Sequence, residues 1–101
     1  MPFYTFIMEY KGGIYVSQIE ADSNKTALIK WAKQLEVSEI YGFELNNKEE
    51  LISEMRDEQP VLLDGLTNVC CVSALISDES ALIHFVQTDK ATNNQQLSAN
   101  N

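Results

Sequence analysis

The sequence predicts an α+β domain, a two-layer sandwich in which a four-stranded antiparallel sheet of ββααββ order carries two helices on one face. Three observations lead there. A stretch near each end of the chain alternates apolar and polar residues on a hairpin plan, as strands with one buried face do. Two stretches between them repeat apolar residues at spacings of three and four, as amphipathic helices do. The whole is 101 residues long, 45% hydrophobic and 22% charged, which suits one packed core and is too short for two.

The first hairpin centres on Gly12-Gly13, because a two-residue turn needs positive φ and glycine adopts it freely. Strands over residues 3–11 and 14–21 follow, with Lys11 opposite Ile14, Tyr10 opposite Tyr15, Met8 opposite Ser17, Phe6 opposite Ile19 and Tyr4 opposite Ala21. One face then carries Tyr4, Phe6, Met8, Tyr10, Tyr15, Ser17, Ile19 and Ala21 and belongs to the core. The other, with Thr5, Glu9, Gln18 and Glu20 among Ile7, Ile14 and Val16, belongs to solvent.

At Asp22 or Ser23, either able to cap a helix, the period changes to that of Leu28, Trp31, Ala32 and Leu35. This first helix ends near residue 35 or 36 and turns Lys25, Lys30 and Lys33 outward. Residues 37–45 read two ways: a short extended piece through Ile40, Tyr41, Phe43 and Leu45 broken at Gly42, or a loop that packs. Asn47 followed by Glu50 has capping-box spacing, so the second helix is expected over 48–58, stopped by Pro60. Its apolar stripe of Leu51, Ile52 and Met55 is narrow, which places it at the edge of the core.

Asp64-Gly65 and Thr67-Asn68 mark turns, and strands over 69–77 and 81–88 follow, joined at Asp78-Glu79 with Ile76 opposite Ala81. One face holds Cys70, Val72, Ala74, Ile76, Ala81, Ile83, Phe85 and Gln87. The other holds Val69, Cys71, Ser73, Leu75, Leu82, His84, Val86 and Thr88, and is also mostly apolar. The hairpin therefore reads as buried on both sides. Its second face needs a cover from residues 37–45, from 61–66, or from a second copy of the chain. A homodimer is the expectation, with Val69, Cys71, Leu75, Leu82, His84 and Val86 at its interface. One domain spans 1–89, and the Asn-, Gln- and Ser-rich stretch 90–101 reads as a disordered polar tail.

The formal charge of −8 opposes a polyphosphate partner, so nucleic acid is not expected. Nine acids fall between Glu36 and Asp64 against Lys48 and Arg56, while Lys25, Lys30 and Lys33 give the first helix a mildly basic side. Glu49, Glu50, Glu54, Asp57 and Glu58 thus form a candidate acidic face for a basic protein partner. They lack the Asp and Gly spacing of a calcium loop. The run near the N-terminus is broken by Glu9 and Lys11, unlike a secretory signal, and no apolar stretch is long enough to span a membrane. A cytoplasmic protein with reduced thiols is expected. Adjacent Cys70 and Cys71 point to opposite faces of a strand and are poorly placed to bridge.

For chemistry the chain offers one histidine and two cysteines. Cys71, Ser73 and His84 share a face and could line a cleft for a small ligand or a minor enzyme. No carboxylate stands on those strands to orient the imidazole, and apolar neighbours suppress rather than activate a thiol. No zinc set can be assembled from them, and no cofactor is expected. Gly12-Gly13 lacks the lysine and helix start of a phosphate loop. Tyr4, Tyr10 and Tyr15 make an aromatic strip without the basic residues a nucleic-acid platform carries, and suit core packing under Trp31. The opening, a hairpin leading into a helix bearing Ala27 and Ala32, resembles that of HicB-type antitoxin domains. The Pro-Asp-Leu-Pro-Gly segment of that family is absent, and the chain is not assigned to it. The functional expectation is a non-catalytic interaction or regulatory module, of the inhibitor or immunity type.

Overall fold

Eight elements follow one another along the chain in the computed structural model, which describes residues 2–62 and 69–88. They are strands β1 (Phe3–Tyr10) and β2 (Gly13–Glu20), helix α1 (Asn24–Gln34), a 3-10 turn (Val37–Glu39), helix α2 (Leu45–Asp57), and strands β3 (Val61–Leu62), β4 (Val69–Ile76) and β5 (Glu79–Thr88). The ββααββ order is present, with β3 as a two-residue addition. All pairings are antiparallel, and the strand order is β2-β1-β5-β4-β3. The expected turns at 64–65 and 67–68 and the tail at 90–101 lie outside the described residues.

Both long hairpins have their turns two residues' worth of register away from the expected ones. Tyr10 pairs with Gly13, so the first loop is Lys11-Gly12, with φ of 49° and 81°. Ile76 pairs with Glu79, so the second is Ser77-Asp78, with φ of 49° and 68°. Positive φ at both loop residues is the turn whose twist matches the flanking strands. Gly13 is a glycine for another reason: a Cβ there would lie 2.5 Å from the Tyr15 hydroxyl, whose ring crosses over it.

The slip moves partners by two positions and so leaves every side chain on its expected face. Tyr4, Phe6, Met8, Tyr10, Ile19 and Ala21 are buried with Cys70, Val72, Ala74, Ile76, Ala81, Ile83 and Phe85 in one cluster. Gln87 and Ser17, on the same face, are exposed. Ala27, Leu28, Trp31 and Ala32 of α1 and Leu51 and Met55 of α2 complete that cluster. At its centre the Phe6 ring stacks between Trp31, 5.1 Å away, and Phe85, 4.5 Å away. Leu51 and Met55 are fully enclosed, so α2 reaches further into the core than its narrow stripe implied.

Ser23 caps α1, its Oγ accepting from the Thr26 amide at 3.2 Å. α2 begins three residues earlier than expected. Glu44 is its N-cap and Asn47 its third residue, Asn47 Oδ1 accepting from the Glu44 amide at 2.8 Å. Residues 37–44 form a packed connection that opens with the 3-10 turn, not a strand, and Leu45 already belongs to α2: Ile40 and Phe43 are buried in the core and Gly42 turns with φ of 69°. Two of the three α1 lysines are also not free. Lys25 Nζ donates to the Met55 carbonyl at 2.9 Å and to the Glu58 carbonyl, holding the end of α2, and Lys30 Nζ donates to the Glu20 carbonyl at 2.8 Å. Only Lys33 stands exposed, so the basic side of α1 is smaller than its sequence suggests.

Candidate functional site

The residues singled out for an interface come together on the side of the sheet turned away from the core. Strand alternation puts Thr5, Ile7, Ile14, Val16, Gln18, Val69, Cys71, Leu75, Leu82, His84 and Val86 there, all half-buried or exposed. Cross-strand pairing lines up Val16, Ile7, His84, Cys71 and Val61 in one row across all five strands. Polar groups close one end of the face: Gln18 Nε2 donates to Thr5 Oγ1 at 3.0 Å, and Thr5 and Thr88 hydroxyls meet at 3.1 Å. Most of the rest is apolar, with Ile14 and Val16 each about two-thirds exposed and Leu75 58% exposed, but Glu9 stands between Ile14 and Leu82, and Ser73 beyond Leu82, in the next row.

No described element covers this face. Ile40 and Phe43 of the 37–44 connection turn into the core, and Val61–Leu62 pairs beside β4 as an edge strand instead of lying over it. Among the described residues, the C-terminal hairpin is therefore buried on one side only.

His84 pairs directly with Cys71, one step closer than the expected register, which had put it opposite Ser73. A hollow of about 180 Å³ lies beside it, lined by Thr5, Ile7, Val69, His84, Phe85 and Val86, with neither Cys71 nor Ser73 in its wall. Cys70, on the core side, has its thiol pushed up by burial, the direction that makes a thiol inert. Tyr4 is also pushed up, first by burial and then by the nearby Cys70 and Asp22. Among the described residues, no three of His, Cys, Asp and Glu gather into one cluster. No described helix is long and apolar enough to cross a membrane.

The candidate acidic face is split. Glu49 and Asp57 are exposed, but Glu50 and Glu54 turn to β4: Glu50 Oε1 accepts from the Ser77 amide at 3.1 Å and Glu54 Oε1 from the Leu75 amide at 3.4 Å. Asn47 Nδ2 adds a bond to Ser77 Oγ at 2.9 Å, and Glu58 is half-buried with its carbonyl on Lys25. Periodicity placed these acids on one helix but gave no sign of their strand partners, which lie 21 and 27 residues away in sequence.

A second recess escaped the sequence reading. It lies along the outer edge of β2, against the end of α1 and the 3-10 turn, and encloses about 310 Å³. On the core side it is lined by the half-buried Tyr15 and by Ile19, Trp31, Leu35 and Ile40, which are themselves almost wholly enclosed, and Glu36 and Glu39 stand among its lining residues. The acidic run from Glu36 was the one signal in the sequence that pointed toward it. No known protein family matches the chain, and neither a curated protein nor a solved structure matches it.

Proposed function

We propose that this chain is a non-catalytic interaction module, of the inhibitor or immunity type, that pairs with a second copy of itself and meets a basic protein partner in the cytoplasm. The carrying observation is the row across the uncovered sheet face in which Val16 and Ile7 stand beside the His84–Cys71 pair, with Leu82 and Val86 flanking His84 along β5. In this reading the molecule is a two-layer sandwich with α1 and α2 on one side, and the free side is the dimer interface. Contiguous apolar patches on soluble domains mark interaction sites, and closed two-fold pairing is the commonest way to cover one. Stable pairing needs about 800 Å² from each partner, the area that the four long strands would have to bury.

The charge supports a basic protein over nucleic acid as the second partner. The ligand-site reading around His84, Cys71 and Ser73 has less support. The hollow beside His84 is below the roughly 300 Å³ at which small-molecule pockets begin, and its wall holds no second ionisable group.

Sedimentation of the purified protein at micromolar concentrations tests the dimer. The wild type sediments as a dimer, and the paired substitution Leu82→Glu with Val86→Glu converts it to a monomer with an unchanged circular dichroism spectrum. A wild type that remains monomeric throughout that range overturns the reading.

A further inference from the structure

We infer that the β2 edge and its groove form a strand-addition site for an extended segment of the partner, apolar at alternate positions and carrying lysine or arginine. This rests on the reading of the chain as a module for a basic protein.

Hairpin geometry fixes which backbone groups are free. The pair flanking a two-residue loop is hydrogen-bonded, and bonded pairs alternate from there. Tyr10–Gly13, Met8–Tyr15, Phe6–Ser17 and Tyr4–Ile19 are thus the bonded pairs of β1 and β2. The amides and carbonyls of Ile14, Val16, Gln18 and Glu20 point away from β1, to the sheet's end. The Glu20 carbonyl is taken by Lys30. Among the described residues, three consecutive outward positions, Ile14, Val16 and Gln18, are left with backbone donors and acceptors in ladder spacing. β2 holds neither proline nor lysine, the residues that commonly guard an exposed edge.

The groove beside that edge says what kind of strand fits. Side chains alternate across an added strand, so every second one enters the space between β2 and α1 and meets the half-buried Tyr15 and the rims of Ile19, Trp31, Leu35 and Ile40. Glu36 and Glu39 are exposed there and, among the described residues, form no ion pair. Two unneutralised carboxylates favour a cationic segment and oppose a second copy of a chain that itself carries −8.

The test uses a synthetic strand peptide alternating valine and threonine with lysine at both ends, and a control with glutamate in place of lysine. Trp31 is the chain's one tryptophan and lines the groove, so its fluorescence reports occupancy. The lysine peptide binds roughly tenfold tighter than the glutamate peptide, and added salt erodes the advantage. Glu36→Gln with Glu39→Gln removes most of it. Val16→Pro, which deletes an outward amide and no ladder bond, abolishes binding of the lysine peptide while leaving the melting curve in place.

Equal binding of the two peptides, or undiminished binding by Val16→Pro, overturns the inference. Peptide binding that persists in the Leu82→Glu, Val86→Glu protein upholds the edge site independently of the dimer. A monomeric wild type that still binds the lysine peptide sinks only the dimer.

Discussion

The two ends of the sheet are built differently. At one end β4 is attended along most of its length: Val61 and Leu62 pair with Cys71 and Cys70, and beyond them Glu54 and Glu50 of α2 accept from the Leu75 and Ser77 amides. At the other end, among the described residues, β2 is attended only near its C-terminal residue, where Lys30 donates to the Glu20 carbonyl. Carboxylates that look like a docking surface in the sequence are, at Glu50 and Glu54, part of the fold. Exposed backbone with real binding capacity lies at the opposite end, beside Glu36 and Glu39.

The same contrast separates the two hairpin turns. Lys11-Gly12 needs little outside help, since glycine takes the second positive φ without strain. Ser77-Asp78 has no glycine, and its first residue is held from outside, Asn47 on the hydroxyl and Glu50 on the amide. One turn is specified locally, and the other is supported by α2.

The attended end should therefore be the more sensitive to substitution. Asn47→Ala has the largest expected effect, because the buried side chain bridges the Glu44 amide and the Ser77 hydroxyl, and its removal takes two part-buried hydrogen bonds with it. A loss of about 1–3 kcal/mol in urea unfolding is expected. An unchanged midpoint would mean that α2 does not hold the second turn.

Glu50→Ala is next, costing about 0.5–1.5 kcal/mol by removing one exposed acceptor from the Ser77 amide. Its effect should shrink sharply in the Asn47→Ala background, since both residues act on Ser77. Full additivity in that double-mutant cycle would show that they act separately.

Much of the fold was legible in the sequence. The buried faces of both hairpins follow from alternation, and a slip of two residues cannot change a face, so the core emerged although both registers were off. Ser23 as the α1 cap was legible for the same local reason. The turn positions were not, because Lys11, Ser77 and Asp78 take the positive φ that glycine was expected to supply.

The start of α2 was misplaced because Asn47 bonds backward to Glu44 instead of forward into the helix. The uncovered sheet face was legible as a surplus of apolar residues on the last hairpin. The groove was not, since β2, α1 and the 3-10 turn meet only in three dimensions.

Residue-resolved amide hydrogen exchange on the free protein tests the difference between the two ends most directly. The outward amides of Ile14, Val16 and Gln18 should exchange fast while Tyr15, Ser17 and Ile19, bonded to β1, are protected. Leu75 and Ser77, held by Glu54 and Glu50, should exchange more slowly than Val16. Protection of Val16 equal to that of Ser17 would contradict the account, because the β2 edge would then already be paired.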